Sequence, residues 1–339
     1  MSPRLRSSEL VGQLRTMIRI RRFEEALIQL SESQDVGHFH VYVGQEATGV
    51  PALALLQPGD VAYSTHRNHG HLIARGVDPA RMMAEILGKA TGTNKGKGGT
   101  LHLASNEHGF PTTSSSVGGP LPIAVGSGYA FRELGLDRVS VCLFGDGALE
   151  EGAWHEAINI AAVWSLPVIF LCENNSLEAL GQKANEYPSS TLAAQRLTDL
   201  VRPFKVPATA IDGADVRAVH REMGRAVRRA RRGAGPTFIE AWTVRWAGSR
   251  PIWPQLVTGE TDVAYAWDDT AIPPDHAEWF GRQDGLLRYV RDLLAAGRVT
   301  RADVVAIDRE ARAEMAAAVR FALDSPYPAP EEALEDMYA

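Results

Sequence analysis

The chain has 339 residues, 45 % of them hydrophobic and 22 % charged, which is the composition of a globular protein with a sizeable core. Its net charge of −6 offers no general attraction to nucleic acid or to an anionic membrane, so we expect neither as a partner. The longest apolar run, residues 158–172, is too short to span a bilayer and contains Pro167. Residues 1–10 lack the apolar stretch of a signal peptide, so we expect a cytoplasmic protein.

Two local features of the composition have ordinary structural interpretations. Cys142 and Cys172 each lie inside an apolar run, which predicts two small core residues with free thiols, as in a reducing compartment. The basic run 225–232 is interleaved with Ala and Val at helical spacing, which predicts the solvated face of a helix.

The first third of the chain begins with a helix and continues in glycine-rich segments. Apolar residues recur at helical spacing over residues 8–33, which predicts an amphipathic helix. A Gly- and His-rich stretch follows at residues 37–49. Residues 88–120 are rich in Gly, Ser and Thr, a composition that opposes regular structure and is typical of exposed or ligand-wrapping loops.

Strand and helix patterns then alternate, which predicts an α/β fold with a mainly parallel sheet flanked by helices. We expect one domain over residues 1–339, with an N-terminal helical segment to about residue 35 and a C-terminal helical tail from about residue 300. The long segment 246–275 is predicted to be a loop, of the kind that often forms a lid. The predicted strands are residues 139–144, 168–172, 206–211 and 237–243, and the predicted helices are residues 150–164, 214–232 and 301–323.

The segment from Gly145 to Asn175 carries the most specific signal. Asp146 follows the first buried strand within Gly-Asp-Gly, and Asn175 follows the second. Gly-Asp-Gly alone also marks plain turns. In a parallel sheet, however, the ends of both strands face the same crevice, where ligands of α/β folds bind. A carboxylate and an amide oxygen suit Mg²⁺, a hard ion that takes few protein ligands and shares its shell with phosphates and water.

Together, GDG and the following EAINIAAVWSLPVIFLCENN resemble the thiamine-diphosphate signature in the alpha subunits of pyruvate, branched-chain 2-oxo acid and acetoin dehydrogenases. Other segments match the same family: GHFHVYVGQEATGV, HRNHGHLIARG, KGKGGTLHLAS, SSVGGPLPIAVGSGYA and the tail SPYPAPEEALEDMYA. The resemblance thus covers most of the chain. It implies the thiamine-diphosphate-binding fold, with thiamine diphosphate and Mg²⁺ as cofactors.

The resemblance also implies roles for individual residues. Asp146, Asn175 and the carbonyl of Leu177 would hold Mg²⁺, and Val117 would pack against the aminopyrimidine. His40 matches a histidine near the reacting carbon, although a satisfied core histidine is its alternative interpretation. The residues implied to meet the diphosphate are Gly145, Gly147 and Ala148, together with Arg67 and Arg245, for which a surface ion pair is the alternative.

Four positions depart from the family pattern. His66 replaces the Tyr that usually precedes Arg67, and Ser115 replaces a Gly. Residues 177–179 read Leu-Glu-Ala in place of Tyr-Gly-Met. Ser249 stands where the lid usually carries a histidine. The cofactor site survives these changes, whereas the substrate site is altered, and His66 becomes a second candidate catalytic residue beside His40.

The leading functional hypothesis is a two-component enzyme that cleaves the bond next to a donor carbonyl and passes the fragment to a carrier thiol. The resemblance implies a beta subunit, an α₂β₂ assembly and a carrier protein, either a lipoyl domain or an acyl carrier protein, with a 2-oxo acid as donor. An alternative is transketolase-like transfer from a ketose phosphate, because several nearby histidines (residues 38, 40, 66, 69, 71 and 102) could grip hydroxyls. A second alternative is a non-catalytic scaffold.

Overall fold

The centre of the structure, a computed structural model, is a parallel sheet. The structure describes residues 6–175, 192, 194, 196–245 and 260–335. Five strands pair within these residues, and every pairing is parallel. The strands are β1 (Val61–Tyr63), β2 (Ser140–Gly145), β3 (Val168–Asn174), β4 (Ala208–Asp212) and β5 (Thr237–Trp242), and their order across the sheet is β1-β2-β3-β5-β4.

Alternate side chains of the strands enter two hydrophobic clusters, one on each side of the sheet. The smaller cluster packs beneath α5, α6 and α7, and the larger beneath the remaining helices; both faces are covered, as expected for a parallel sheet. The helices are α1 (Ser7–Leu30), α2 (Glu46–Leu53), α3 (His69–Ala74), α4 (Pro79–Ile86), α5 (Pro120–Glu133), α6 (Gly152–Val163), α7 (Leu197–Val201), α8 (Val216–Arg231), α9 (Gly285–Ala295) and α10 (Arg301–Asp324).

The predicted α/β fold with a mainly parallel sheet is confirmed, and so are its main elements. The four predicted strands correspond to β2, β3, β4 and β5, and the long predicted helices correspond to α1, α6, α8 and α10. Cys142 and Cys172 are buried and free, as expected. The basic run lies on α8 up to Arg231, and Arg225 and Arg228 are exposed there, as is Arg232 just after the helix. No helix among the described residues is long and apolar enough to cross a membrane.

Sequence patterns did not predict β1 or the helices α2, α3, α4, α5, α7 and α9. β1 has only three residues, too few for a periodic pattern to emerge. Part of the predicted loop at 246–275 lies outside the described residues; from residue 260 onward it contains short 3₁₀ turns, Val263–Ala266 and Asp269–Ala271.

A buried ionic network joins α1 to the first residue of α2 and to the residue that caps α9. The Arg21 guanidinium donates to Glu46 at 2.7 Å and to Asp284 at 2.7 Å, and all three side chains are buried. Glu46 also accepts from the backbone N–H of Gly44 at 2.8 Å. Because a buried charge is costly unless paired, these bonds fix the loop between α1 and α2 relative to the helices around it.

Candidate functional site

A cavity opens at the carboxyl edge of the sheet, where four adjacent strands end. β1 leads into the residues up to Arg67, β2 into Gly145–Ala148, β3 into Asn175 and β5 into Arg245. These positions are far apart in sequence, and the strand order places them side by side. The lining residues are Gln45, Thr65, His66, Arg67, Ser114, Ser116, Val117, Gly118, Pro120, Phe144, Gly145, Asp146, Gly147, Ala148, Glu173, Asn175 and Arg245.

Asp146 has the geometry expected of a cation ligand. Its side chain is 3 % exposed, and its Oδ2 has no hydrogen-bond partner among the described residues. Burial raises the pKa of this carboxyl to about 6, while backbone N–H groups of Asp146 and Asn175 oppose the rise. A buried, under-satisfied carboxylate facing a cavity is a costly arrangement that a bound cation would relieve.

The adjacent residues Asn174 and Asn175 have different surroundings. The Asn174 side chain donates to Glu240 at 2.8 Å and so ties β3 to β5. Asn175, the next residue, lines the cavity beside Asp146. The two predicted side-chain ligands of Mg²⁺ are therefore brought together, and the structure assigns the second asparagine to the cavity.

Two arginines bring positive charge to the same cavity. Arg67 is 5 % exposed and donates to the carbonyl of Val41 at 2.8 Å, and Arg245 is partly buried. Among the described residues neither forms an ion pair with a carboxylate, and Nε of Arg245 has no hydrogen-bond partner there. Burial lowers the pKa of Arg67, and the neighbouring Arg245 lowers it further. Two neighbouring guanidinium groups at a cavity favour the binding of an anionic ligand.

The other predicted cofactor residues also lie on the cavity. Gly145, Gly147 and Ala148 form the turn between β2 and α6, part of which is a short 3₁₀ helix, Asp146–Glu150. Val117 comes from the loop before α5 and is 54 % exposed. An exposed apolar side chain at a cavity wall offers a packing surface for a flat ring.

The two predicted catalytic histidines are neighbours. The ring centroids of His40 and His66 are 4.3 Å apart, and His66 lines the cavity while His40 lies behind it. Burial lowers the pKa of His66 to about 3 and that of His40 to about 2, and in each case Arg67 contributes next. Both imidazoles are therefore neutral near pH 7.

Three other histidines from the same sequence region serve different purposes. His69 is fully buried, with its Nδ1 bonded to Glu24 and its Nε2 to Thr100. His71 is also fully buried and bonds Ser64 through Nδ1 at 2.7 Å. His102 is exposed and does not line the cavity. The high histidine count therefore reflects packing and loop structure as much as the site.

Sequence reasoning assigned no role to Gln45 or Glu173, although both lie inside the motifs that were compared. Glu173 lines the cavity but accepts from the Tyr42 hydroxyl and from Nε2 of His71. Gln45 donates to Thr243 at 3.1 Å, and its Oε1 has no hydrogen-bond partner within the described part of the chain. Their positions within GQEA and CENN were the available signal. Leu177, the whole 177–179 departure and Ser249 lie outside the described residues, so their predicted roles stay predictions.

Comparison with known proteins agrees with the family resemblance found in the sequence. A family model described as the dehydrogenase E1 component matches residues 15–250. The alpha subunit of an acetoin:2,6-dichlorophenolindophenol oxidoreductase from Bacillus subtilis is 37 % identical over 324 residues, 95 % of this chain and 91 % of the relative. The pyruvate dehydrogenase E1 component alpha subunit from Zymomonas mobilis is 36 % identical over 326 residues, 96 % of this chain and 87 % of the relative. This chain therefore belongs to the dehydrogenase E1 component family.

Proposed function

We propose that this chain is the alpha subunit of a two-component dehydrogenase that holds its cofactor in the cavity at the carboxyl edge of the sheet. Thiamine diphosphate is the cofactor of the dehydrogenase E1 family. The observation that carries the proposal is the convergence of Arg67, Arg245 and the unpaired oxygen of Asp146 on one cavity. Two cations and one carboxylate fit a diphosphate that carries a divalent metal ion.

The residues present fit this cofactor. Asp146 and Asn175 would hold Mg²⁺, and the guanidinium groups of Arg67 and Arg245 would bind diphosphate oxygens. Val117 would pack against the aminopyrimidine. When bound, thiamine diphosphate supplies the carbon nucleophile and electron sink needed to cleave the bond next to a donor carbonyl.

His66 stands on the wall of this cavity and His40 lies behind it, both as neutral imidazoles. A neutral imidazole has one donor and one acceptor nitrogen, so it can hydrogen-bond a donor oxygen. Because its pKa is low, His66 would be a weak base as long as no bound anion offsets the charge of Arg67 and Arg245. A bound diphosphate would offset the charge of Arg67 and Arg245 and raise that pKa toward neutrality.

The described residues that line the cavity offer no spare carboxylate to activate the aminopyrimidine. Among the described lining residues the carboxylates are Asp146 and Glu173. The first is needed for the metal, and the second is engaged by Tyr42 and His71. An activating carboxylate supplied by a second chain would complete the site, which supports a beta subunit and an α₂β₂ assembly.

An exposed apolar surface on the helices that cover one face of the sheet fits that second chain. It is formed by α5 and α6 and contains Ile123, Val163 and Trp164, which are 45 %, 69 % and 44 % exposed. Val117, at the cavity wall, precedes α5 by three residues. Exposed apolar side chains concentrated on one surface are typical of a protein interface.

The donor is a 2-oxo acid or acetoin, and the two relatives named for these substrates are nearly equal in identity. The fragment would pass to a thiol on a carrier protein, either a lipoyl domain or an acyl carrier protein. The transketolase-like alternative gains no support, because His69 and His71 are committed to buried contacts. The intact Asp146 and Asn175 argue against a scaffold.

The test is reconstitution with a beta chain from the same organism. The alpha chain alone, given thiamine diphosphate, Mg²⁺ and either pyruvate or acetoin, should show no turnover, and adding the beta chain should restore it. Val163→Glu should prevent assembly as measured by sedimentation, because it places a charge within an apolar interface. Val305→Glu, at an exposed position on α10, is the matched control. Robust turnover by the alpha chain alone would exclude the two-component function.

A further inference from the structure

Gln45 is a buried amide on the cavity wall to which the proposed cofactor site gives no role. It directly precedes α2 and lines the cavity, and it is only 1 % exposed. Its Oε1 has no hydrogen-bond partner among the described residues. Because a buried acceptor without a donor is costly, this oxygen indicates that a ligand in the cavity presents a donor group to it.

The hydrogen bonds of Thr243 determine which end of the Gln45 amide is available to a ligand. The Thr243 hydroxyl has a single hydrogen, which the carbonyl of Asn174 accepts at 3.4 Å. Towards Gln45, whose Nε2 lies 3.1 Å away, the hydroxyl can therefore only accept. The amide NH₂ group is thus directed at Thr243, and Oε1 is left as the acceptor.

The same contact places the amide near the residues assigned to the metal and to the diphosphate. Thr243 follows β5 and precedes Arg245 by two residues. Its backbone N–H donates to the carbonyl of Asn174 at 2.8 Å, and Asn174 directly precedes Asn175. The Gln45 amide is therefore anchored where β3 and β5 end, next to one proposed Mg²⁺ ligand and one proposed diphosphate ligand.

Hydrogen-bond donors are scarce at that end of the proposed site. Diphosphate oxygens only accept, and they are the natural partners for Nε of Arg245, which is also unpartnered among the described residues. Mg²⁺, in contrast, takes few protein ligands and keeps water molecules in its shell, and each bound water presents its hydrogens outward. A water bound to the metal is therefore the donor that suits the Gln45 oxygen.

We infer that Gln45 is a positioning residue of the metal site. Its Oε1 accepts a hydrogen bond from a water bound to Mg²⁺, and Thr243 holds the amide in the required orientation. Partners of this kind raise metal affinity because they orient the groups that bind the ion. The inference rests on the cofactor site of the proposed function, but on neither the beta subunit nor the identity of the donor.

The test measures metal binding by the alpha chain, because every residue involved belongs to it. The probe is Mn²⁺ with saturating inorganic pyrophosphate, which supplies the diphosphate without the aminopyrimidine and permits no turnover. Gln45→Met keeps the length of the side chain but removes the amide. It should weaken Mn²⁺ binding roughly tenfold, as measured from the paramagnetic resonance signal of the free ion. Gln57→Met, at an exposed position before β1, is the matched control and should bind normally.

Two further measurements separate positioning of the water from a general disturbance of the fold. Water-proton relaxation by bound Mn²⁺ reports the exchange of its water ligands, which should be faster in Gln45→Met. Thr243→Val removes the hydroxyl that orients the amide and should weaken Mn²⁺ binding roughly threefold. Because Thr243 acts through Gln45, the double variant should bind no more weakly than Gln45→Met alone. Additive losses would contradict the inference.

Unchanged Mn²⁺ affinity in Gln45→Met would overturn the inference. If that variant does not fold, unchanged affinity in Thr243→Val would overturn it instead. A loss seen with thiamine diphosphate but not with pyrophosphate would also overturn it, since the oxygen would then serve the aminopyrimidine. Wild-type affinity no higher than that of Asp146→Ala would contradict the proposed cofactor site itself, and the inference with it.

Discussion

The cavity has two halves that are built in different ways. One half consists of the residues that directly follow β2, β3 and β5, and it presents Asp146, Asn175 and Arg245. The other is a column of three imidazoles, His38, His40 and His66, with Arg67 beside it; the loop before α2 and the turn after β1 bring these residues together. The first half is held by the hydrogen-bonded register of the sheet: Gly145 pairs with Glu173 across β2 and β3. The second half is held by side-chain contacts between loops.

This difference separates cofactor binding from donor recognition. Residues at the ends of paired strands cannot move independently, so that half is suited to a cofactor whose diphosphate and metal need fixed ligands. Residues on loops can change without disturbing the sheet. His66, which departs from the family pattern, lies in the loop-built half, whereas Asp146 and Asn175 are intact in the strand-built half. The comparison predicts large effects on cofactor binding in one half and small ones in the other.

The largest effect should come from Asp146→Ala. This substitution removes the buried carboxylate that we assign to Mg²⁺, so the affinity of the assembled enzyme for thiamine diphosphate with Mg²⁺ should fall at least tenfold, or about 1.4 kcal/mol. Calorimetry measures the change. Asp137→Ala, at an exposed carboxylate before β2, is the control and should bind normally. Unchanged binding in Asp146→Ala would place the metal site elsewhere.

A smaller effect should follow from His66→Tyr, which restores the residue that usually precedes the arginine. Because His66 lies in the loop-built half, the cofactor Kd should change far less than in Asp146→Ala. The substitution should also leave the preference for pyruvate or acetoin over xylulose 5-phosphate unchanged. Carbon dioxide, acetoin consumption and released aldose phosphate can be followed separately. Release of aldose phosphate by the wild type, with a selective loss in His66→Tyr of roughly 1–3 kcal/mol in kcat/KM, would instead support the ketose hypothesis.

The smallest effect concerns acid stability. The pKa of His66 falls from 6.5 to about 3 in the folded chain. Between these values the unfolded chain binds the proton and the folded chain does not, so the free energy of unfolding decreases as the pH falls below 6.5. His66→Tyr lacks this titration, and its free energy of unfolding should fall less between pH 6.5 and about pH 5. Urea denaturation measures both slopes, with His102→Tyr at an exposed position as the control. Equal slopes in wild type and His66→Tyr would show that His66 is not held neutral.

Much of the strand-built half could be predicted from the sequence. The runs VSVCLF and VIFLC are apolar, partly β-branched and bounded by Pro or Gly, so they indicate buried parallel strands without any tertiary information. The positions of Asp146 and Asn175 just beyond those runs then place both at one edge. The roles of Arg67 and Arg245 came from the resemblance, since nothing local separates them from other arginines. The single-domain boundary and a lid formed by the 246–275 segment stay predictions.

The tertiary structure decided the remaining features. β5 lies between β3 and β4, and this order places Arg245 beside Asn175. The register of β3 against β5 brings the Asn174 side chain within hydrogen-bond distance of Glu240, whereas Asn175, one residue further, lines the cavity. Burial separates His69 and His71 from the column of His38, His40 and His66, although all five are close in sequence. The physical reason is the range of the forces involved. Periodicity and strand preference depend on neighbours along the chain, whereas strand order, register and histidine environment depend on packing between distant segments.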